Sequence, residues 1–321
     1  MANIEMRSLG KTDIQVTPIG LGVMDFSRGG SLFGLAFPVI PQEEKTAIVK
    51  AALDGGINWF DTAELYGKGA SERSLSKALK AIGKSDDEVV IADKWFPLFR
   101  TARNIPRTIN ERIKHLDGYS IDLYMVHQPI SFSSPEAEMD AMAELVETGK
   151  IRSVGVSNFG PERMRRAHKA LAKHGLPLAV NQVHYNLLHR DIETDGTLET
   201  ARELGVTIIA YSPLALGLLS GKYHKNPEQL NDKPFYSRGR IKRDLESSAP
   251  LIAALEEIGE GYHATPAQVA LNWLVNFNGE TVVAIPGAKK ANQAEDSAGA
   301  MQLNLSTDEM GQLDELSRSF R

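Results

Sequence analysis

The sequence predicts an α/β fold of one domain, residues 1–321, as a single (β/α)8 TIM barrel with an N-terminal β-hairpin cap and a long loop after strand seven. Three observations carry this. Eight short runs, apolar almost throughout, recur along the chain as strands covered on both faces do; amphipathic stretches alternate with them; and no Pro/Gly/Ser-rich linker divides the chain.

The strand runs are 19–23, 57–61, 89–94, 121–127, 151–157, 178–182, 206–211 and 282–285. Helical spacing is expected over 42–53, 71–81, 104–115, 134–148, 161–172 and 192–203. Ser71 precedes an acidic first turn, Pro135 and Pro161 suit a first helical turn, and Gly83, Gly149, Gly175 and Gly205 stand where helices stop. Upstream, 5–9 and 14–16 flank Gly10-Lys11-Thr12-Asp13 and read as a hairpin over one barrel end. Two long connections remain: 25–41, rich in apolar residues, and 212–248, interrupted by Pro213, Pro227 and Pro234.

Composition excludes several functions. Hydrophobic residues make up 42% and charged residues 24%, so the chain can build a core and lacks the bias of disordered segments. A net charge of −5 gives no basic footprint for nucleic acid. With no cysteine there are no disulfides, thiolate nucleophiles, Cys-bound zinc or iron–sulfur clusters, and a reducing cytoplasmic location is expected. No basic segment followed by an apolar stretch opens the sequence, and no apolar run reaches the ~20 residues of a membrane helix.

Several motifs fail in detail. Gly20-Leu21-Gly22-Val23-Met24-Asp25 stops short of a dinucleotide fingerprint, and Gly217-Leu218-Leu219-Ser220-Gly221-Lys222 has one spacer too few for a phosphate-binding loop and is followed by Tyr223. The eight histidines form neither H-x-H nor H-E-x-x-H, and His184 and His189, five apart across a strand end, are not expected to face together; no metal is expected. Ser157 and Ser212 lie outside any nucleophile elbow. A glycosidase would need two facing carboxylates, and Asp61 is the one clear strand-end acid.

Barrel chemistry gathers at the C-terminal ends of the strands. There the chain offers Asp61, then Tyr66 five residues on, Lys94 and His127. Each alone reads more readily as a helix cap or a solvated side chain; together they make chemical sense. A phenol titrating near ~10 is a poor acid until a cation stabilises its phenolate. Lys94 can supply the charge, Asp61 can hold the ammonium, and His127 can orient a substrate oxygen. Such a site protonates an oxygen as hydride reaches a carbonyl, and hydride requires a cofactor. Ser157, Asn158 and Gln182 offer polar partners for one and Tyr211 a flat face. Pro286-Gly287-Ala288-Lys289-Lys290, opening a helix, suits a phosphate.

With these residues in view, the sequence resembles the aldo-keto reductase superfamily from about residue 6 to 316. The resemblance rests on Arg7-Ser8-Leu9-Gly10-Lys11-Thr12 with Pro18-Ile19-Gly20-Leu21-Gly22, on the block 56–67 ending Asp61-Thr62-Ala63-Glu64-Leu65-Tyr66-Gly67, on Gly155-Val156-Ser157-Asn158-Phe159, on Tyr211-Ser212-Pro213-Leu214 with Gly221-Lys222-Tyr223, and on Ile285-Pro286-Gly287-Ala288. It implies an NADPH-dependent oxidoreductase reducing aldehydes or ketones, with NADPH/NADP+ extended across the C-terminal face. Tyr66 would be the general acid, tuned by Lys94 and Asp61, with His127 orienting the carbonyl. Ser157, Asn158 and Gln182 would hold the nicotinamide carboxamide, and Tyr211 would stack on its ring. Ser212, Leu214, Leu216 and Gly217 would cover the pyrophosphate, Lys289 with Gln293 would meet the 2′-phosphate and Asp296 the adenine, with Gly22, Met24 and Gly287 also in contact. The family often has Arg where Lys289 stands and Glu-Asn at Asp296-Ser297; lysine keeps the charge but not the planar fork. Relatives include potassium-channel beta subunits, so a cofactor-binding regulatory subunit with little turnover is the alternative.

Beyond the resemblance, Phe33 with Leu35 and Phe37, and Trp95 and Phe96 after Lys94, suggest an apolar substrate pocket. The expected partner is a small aldehyde or ketone, with no nucleic acid and no membrane; the oligomeric state stays open. The cluster Arg238, Arg240, Lys242 and Arg243 reads as solvated, with a phosphate clamp as the other possibility.

Overall fold

The computed structural model describes residues 4–27, 39–232 and 235–321. Strands β1 (Arg7–Ser8) and β2 (Gln15–Val16) pair antiparallel as the expected hairpin. The eight expected barrel strands follow as β3 (Leu21–Gly22), β4 (Trp59–Asp61), β5 (Val90–Trp95), β6 (Leu123–Val126), β7 (Ser153–Ser157), β8 (Leu178–His184), β9 (Thr207–Tyr211) and β10 (Val282–Ala284). All are parallel and adjacent in chain order. Bridges Ile19 to Ala284 and Gly22 to Gly287 close the first onto the last, with Gly20 N–H donating to the Ala284 carbonyl at 2.8 Å.

Side chains alternate across a strand, so neighbours in sequence fall on opposite sides of the barrel wall. Trp59, Ile209 and Val283 fill the lumen, whereas Phe60, Ile208 and Val282 pack outward in the larger core with the helices. Leu9, Ile14 and Val16 of the hairpin plug the lumen where the strands begin, and Gly10 N–H bonds Thr207 Oγ1 at the start of β9. The opposite end, where the strands finish, is left for the site.

Five expected helices form near their predicted bounds, as Gln42–Asp54, Ala70–Ile82, Ile105–Leu116, Pro135–Glu147 and Pro161–Ala172. Gly83 and Gly205 close their helices in the left-handed conformation, φ 79° and 69°. Two details differ. The expected helix 192–203 shortens to Thr197–Leu204, because Gly196 turns left-handed (φ 85°) and leaves Asp191–Glu193 as a separate 3-10 turn. Ser71 does not cap its helix: it lies inside, with its hydroxyl donated to the Val23 carbonyl.

The segment 212–248, expected as a loop, is largely helical, with turns at Ala215–Ser220 and Pro227–Asp232 and helices at Lys222–Lys225 and Phe235–Ser247. It holds its own apolar cluster of Leu218, Tyr223, Leu230 and Ile241, which explains its order. Arg238 donates to the Asn231 carbonyl within this segment. Of the connection after β3, Phe33, Leu35 and Phe37 lie outside the described residues. No helix among the described residues is long and apolar enough to cross a membrane.

Candidate active site

Strand alternation brings the expected residues together. Ala92 faces the lumen, so Lys94 does too; Met125 likewise places His127, Val180 places Gln182, and Ile209 places Tyr211. Lys94 Nζ lies 2.5 Å from Asp61 Oδ1 and donates to the Thr62 carbonyl at 2.8 Å. Gln182 Nε2 donates to Asp61 Oδ2 at 2.7 Å. The ammonium also sits 5.2 Å from the centroid of the Tyr66 ring. His127 meets that ring edge-on, centroids 5.7 Å apart, and Phe96 packs edge-on to His127 at 5.8 Å.

Electrostatics follow from this geometry. Burial, the largest single influence, draws the Lys94 ammonium down, but Asp61, Tyr66 and Asp93 together outweigh it, so the lysine titrates above its usual value and stays charged. Burial and Lys94 together push His127 down to about 3, leaving a neutral imidazole. Its buried Nδ1 has no hydrogen-bond partner among the described residues. Tyr66 moves up, opposite to the lowering considered from sequence: burial outweighs the pull of Lys94, and Asp61 adds to the rise.

Around this core lie polar groups suited to a cofactor. Ser157 Oγ donates to the Gln182 carbonyl at 2.9 Å, Asn158 Nδ2 to Ser157 Oγ at 3.0 Å, and Tyr211 OH to Asn158 Oδ1 at 3.1 Å. Ser212, Ala215, Leu216 and Gly217 are all left-handed, bending the chain sharply after Leu214. Gly22 and Gly287 face each other across the barrel closure, Met24 is exposed in the turn beyond, and Lys289 is exposed just before the helix Ala291–Gly299. Gln293 Oε1 accepts the Lys289 amide at 2.8 Å, and Asp296 accepts the Thr265 hydroxyl at 2.9 Å.

Two expectations are corrected. Trp95 does not line the pocket: one residue past Lys94, it faces outward, fully buried, with its indole N–H on Asn104 Oδ1 at 2.9 Å. His184 and His189 do face together, stacked at 3.8 Å, because a tight turn pairing Asn186 with His189 folds the chain back; His184 in turn stacks on Tyr211 at 5.3 Å. No group of three or more His, Asp or Glu placed to hold a metal occurs among the described residues. Glu64 does not stand out from its motif in the sequence. Its carboxylate is buried and hydrogen-bonded inside the site, and its place between Asp61 and Tyr66 was the available signal.

The Aldo/keto reductase family profile matches residues 18–318. The chain belongs to the aldo/keto reductase family. An uncharacterized oxidoreductase of Mycobacterium tuberculosis is 37% identical over 310 residues, covering 96% of this chain and 91% of the relative. The aldo-keto reductase str7 of Strobilurus tenacellus is 36% identical over 305 residues, covering 92% and 87%. Among solved structures, the thermostable aldo-keto reductase Tm1743 in complex with epalrestat aligns with a TM-score of 0.77 at 31% identity, covering 97% of this chain and 99% of that one. This family member is therefore an oxidoreductase with the (β/α)8 fold.

Proposed function

We propose that this aldo-keto reductase reduces aldehydes or ketones to alcohols with NADPH, Tyr66 acting as the proton donor. One observation carries the reading: a dry Lys94–Asp61 pair at 2.5 Å with its ammonium 5.2 Å from the Tyr66 ring, beside a neutral His127. When bound at these residues, a reduced nicotinamide would supply hydride chemistry for the carbonyl carbon. Tyr66 gives its proton to the carbonyl oxygen, completing the alcohol, and regains one from solvent. Lys94 stabilises the phenolate left behind, and Asp61 keeps Lys94 charged. His127, being neutral, offers an N–H to the carbonyl oxygen without competing as an acid.

The donor set fits such a cofactor. Ser157, Asn158 and Gln182 present the amide and hydroxyl chemistry a carboxamide needs, and Tyr211 is a ring already held parallel to His184. The left-handed turn at 215–217 is the kind of backbone that cups an anion, and we assign it, with Ser212 and Leu214, to the pyrophosphate. Gly287, Lys289 and Gln293 at a helix N-terminus suit the 2′-phosphate, and Asp296 the adenine; Gly22 and Met24 complete the contact surface.

For substrate we infer an apolar aldehyde. Phe96 packs on His127, and Leu65, Leu98, Phe99 and Phe132 are exposed on the loops that follow the catalytic strands. The test is NADPH consumption with 4-nitrobenzaldehyde by wild type and Tyr66→Phe. Turnover lost in the variant with NADPH binding retained supports the reading, and equal rates remove Tyr66 from the mechanism. A higher kcat/KM for a sugar phosphate than for a benzaldehyde overturns the substrate assignment.

A further inference from the structure

We propose that Glu64 is a positioning residue for this reduction, fixing the Tyr66 loop against the segment that carries the substrate wall. The inference rests on the carbonyl reductase reading above and adds a residue to it.

Glu64 sits between Asp61 and Tyr66 and is 7% exposed. One of its oxygens, Oε1, accepts both the Phe96 backbone N–H and Arg100 Nη1, each at 2.5 Å. The other lies 3.8 Å from Arg112 Nη1, and the Glu64 amide donates to the Lys94 carbonyl at 3.2 Å. A single residue thus ties the Tyr66 loop to the chain on both sides of Trp95. Tyr66 and Phe96 are the two rings that meet His127 edge-on, and Glu64 joins the backbones bearing them.

The far side of the clamp is built with effort. Arg100 reaches Glu64 because residues 97–100 form a turn, Arg100 N–H to the Pro97 carbonyl at 2.9 Å, with Phe99 left-handed at φ 57°. That conformation is uncommon for a bulky residue and persists where neighbours hold it. Here the holders are the Glu64 carboxylate and the Phe132 N–H, which bonds the Arg100 carbonyl at 2.9 Å. Behind Glu64 the Arg112 guanidinium is flanked by Glu72, whose Oε1 is 3.3 Å from Nε. Charge-assisted bonds of this kind are short and directional, and displacement of a reacting group by ~1 Å costs as much as ~100-fold in rate.

The experiment compares wild type, Glu64→Gln, Arg100→Ala and the double variant with NADPH and 4-nitrobenzaldehyde, expressing kcat per NADPH-binding site so that misfolded protein is not counted. Glu64→Gln is expected to lower kcat and kcat/KM together by roughly tenfold, with the Kd for NADPH unchanged. Arg100→Ala, at a side chain 37% exposed and tolerant of truncation, should give a smaller loss of the same kind. The double variant should be no worse than Glu64→Gln alone, because Arg100 acts through Glu64. Unchanged kcat per site in both single variants, whatever their melting temperatures, overturns the proposal, as do fully additive losses. An inert wild type overturns the reductase reading and this inference with it.

Discussion

Lys94 and Asp61 form an ion pair 2.5 Å long whose side chains are 0% and 3% exposed. Taking both charges out of water is costly, and the pair is tolerated because each oxygen of Asp61 is met: Oδ1 by Lys94 and Oδ2 by Gln182. Removing one partner strands the other. Asp61→Ala should therefore lose about 3–5 kcal/mol in urea unfolding, whereas Asp61→Leu with Lys94→Met should recover most of the stability and none of the turnover. A single variant as stable as wild type would refute the pairing argument.

Tyr66 titrates above the usual phenol value because burial outweighs the opposing pull of Lys94. The phenol is then protonated throughout the neutral range, so reduction should not fall with pH until above about 10, the ordinary phenol value. In Lys94→Met the downward pull is gone, and the alkaline limb of any residual activity should move higher still. A limb that moves lower on losing Lys94 contradicts the assignment of Tyr66 as the titrating acid.

The grouping of the candidate residues was legible because strand ends and barrel chemistry coincide, and because period-two alternation forces residues two apart onto one face. Asp61, Lys94 and His127 follow from that rule once Trp59, Ala92 and Met125 are lumen residues. The same rule turns Trp95 outward, and its misassignment came from reading apolar character without parity. The His184–His189 stack was hidden for a different reason: it depends on a tight turn closed by Asn186 N–H to the His189 carbonyl at 3.1 Å, which residue spacing does not encode. The start of helix 161–172 was legible because Pro161 occupies its first position, while 192–203 differs because Gly196 in the left-handed region interrupts an otherwise helical pattern.

His127 is held down to about 3 by burial and by Lys94, against an ordinary value of 6.5. The unfolded chain therefore binds the proton first as pH falls. Its contribution to stability is complete above pH 6.5 and erodes on acidification toward pH 3, at up to about 1.4 kcal/mol per pH unit. His127→Gln should flatten that part of the stability curve relative to wild type, measured as urea midpoints between pH 4 and 7. Burial, Arg112 and Arg73 lower His115 to about 4, which gives wild type and variant a shared background of the same sign, so the difference between them isolates His127. Identical slopes in both proteins would show that the imidazole is not held neutral by its surroundings.

Far along the chain, Arg190 makes another demanding ionic site. Its guanidinium is fully buried and bonds Glu193 at 2.7 Å, Asp314 at 2.6 Å and Ser317 Oγ at 2.6 Å, while lying over the Trp273 ring at 4.8 Å. The Arg190 amide also donates to the Phe320 carbonyl at 2.8 Å, so this residue fastens the end of the described chain to the barrel. A lysine offers one point charge where the guanidinium spans two carboxylates and a hydroxyl while stacking on an indole. Arg190→Ala should cost less than the ~3–5 kcal/mol of a buried charge left wholly unpaired, because Arg321 still pairs with both Glu193 and Asp314, and Arg190→Lys should recover less than half of that loss. Equal urea midpoints for Arg190→Lys and wild type would mean that charge alone, and not the planar fork, secures the C-terminal residues.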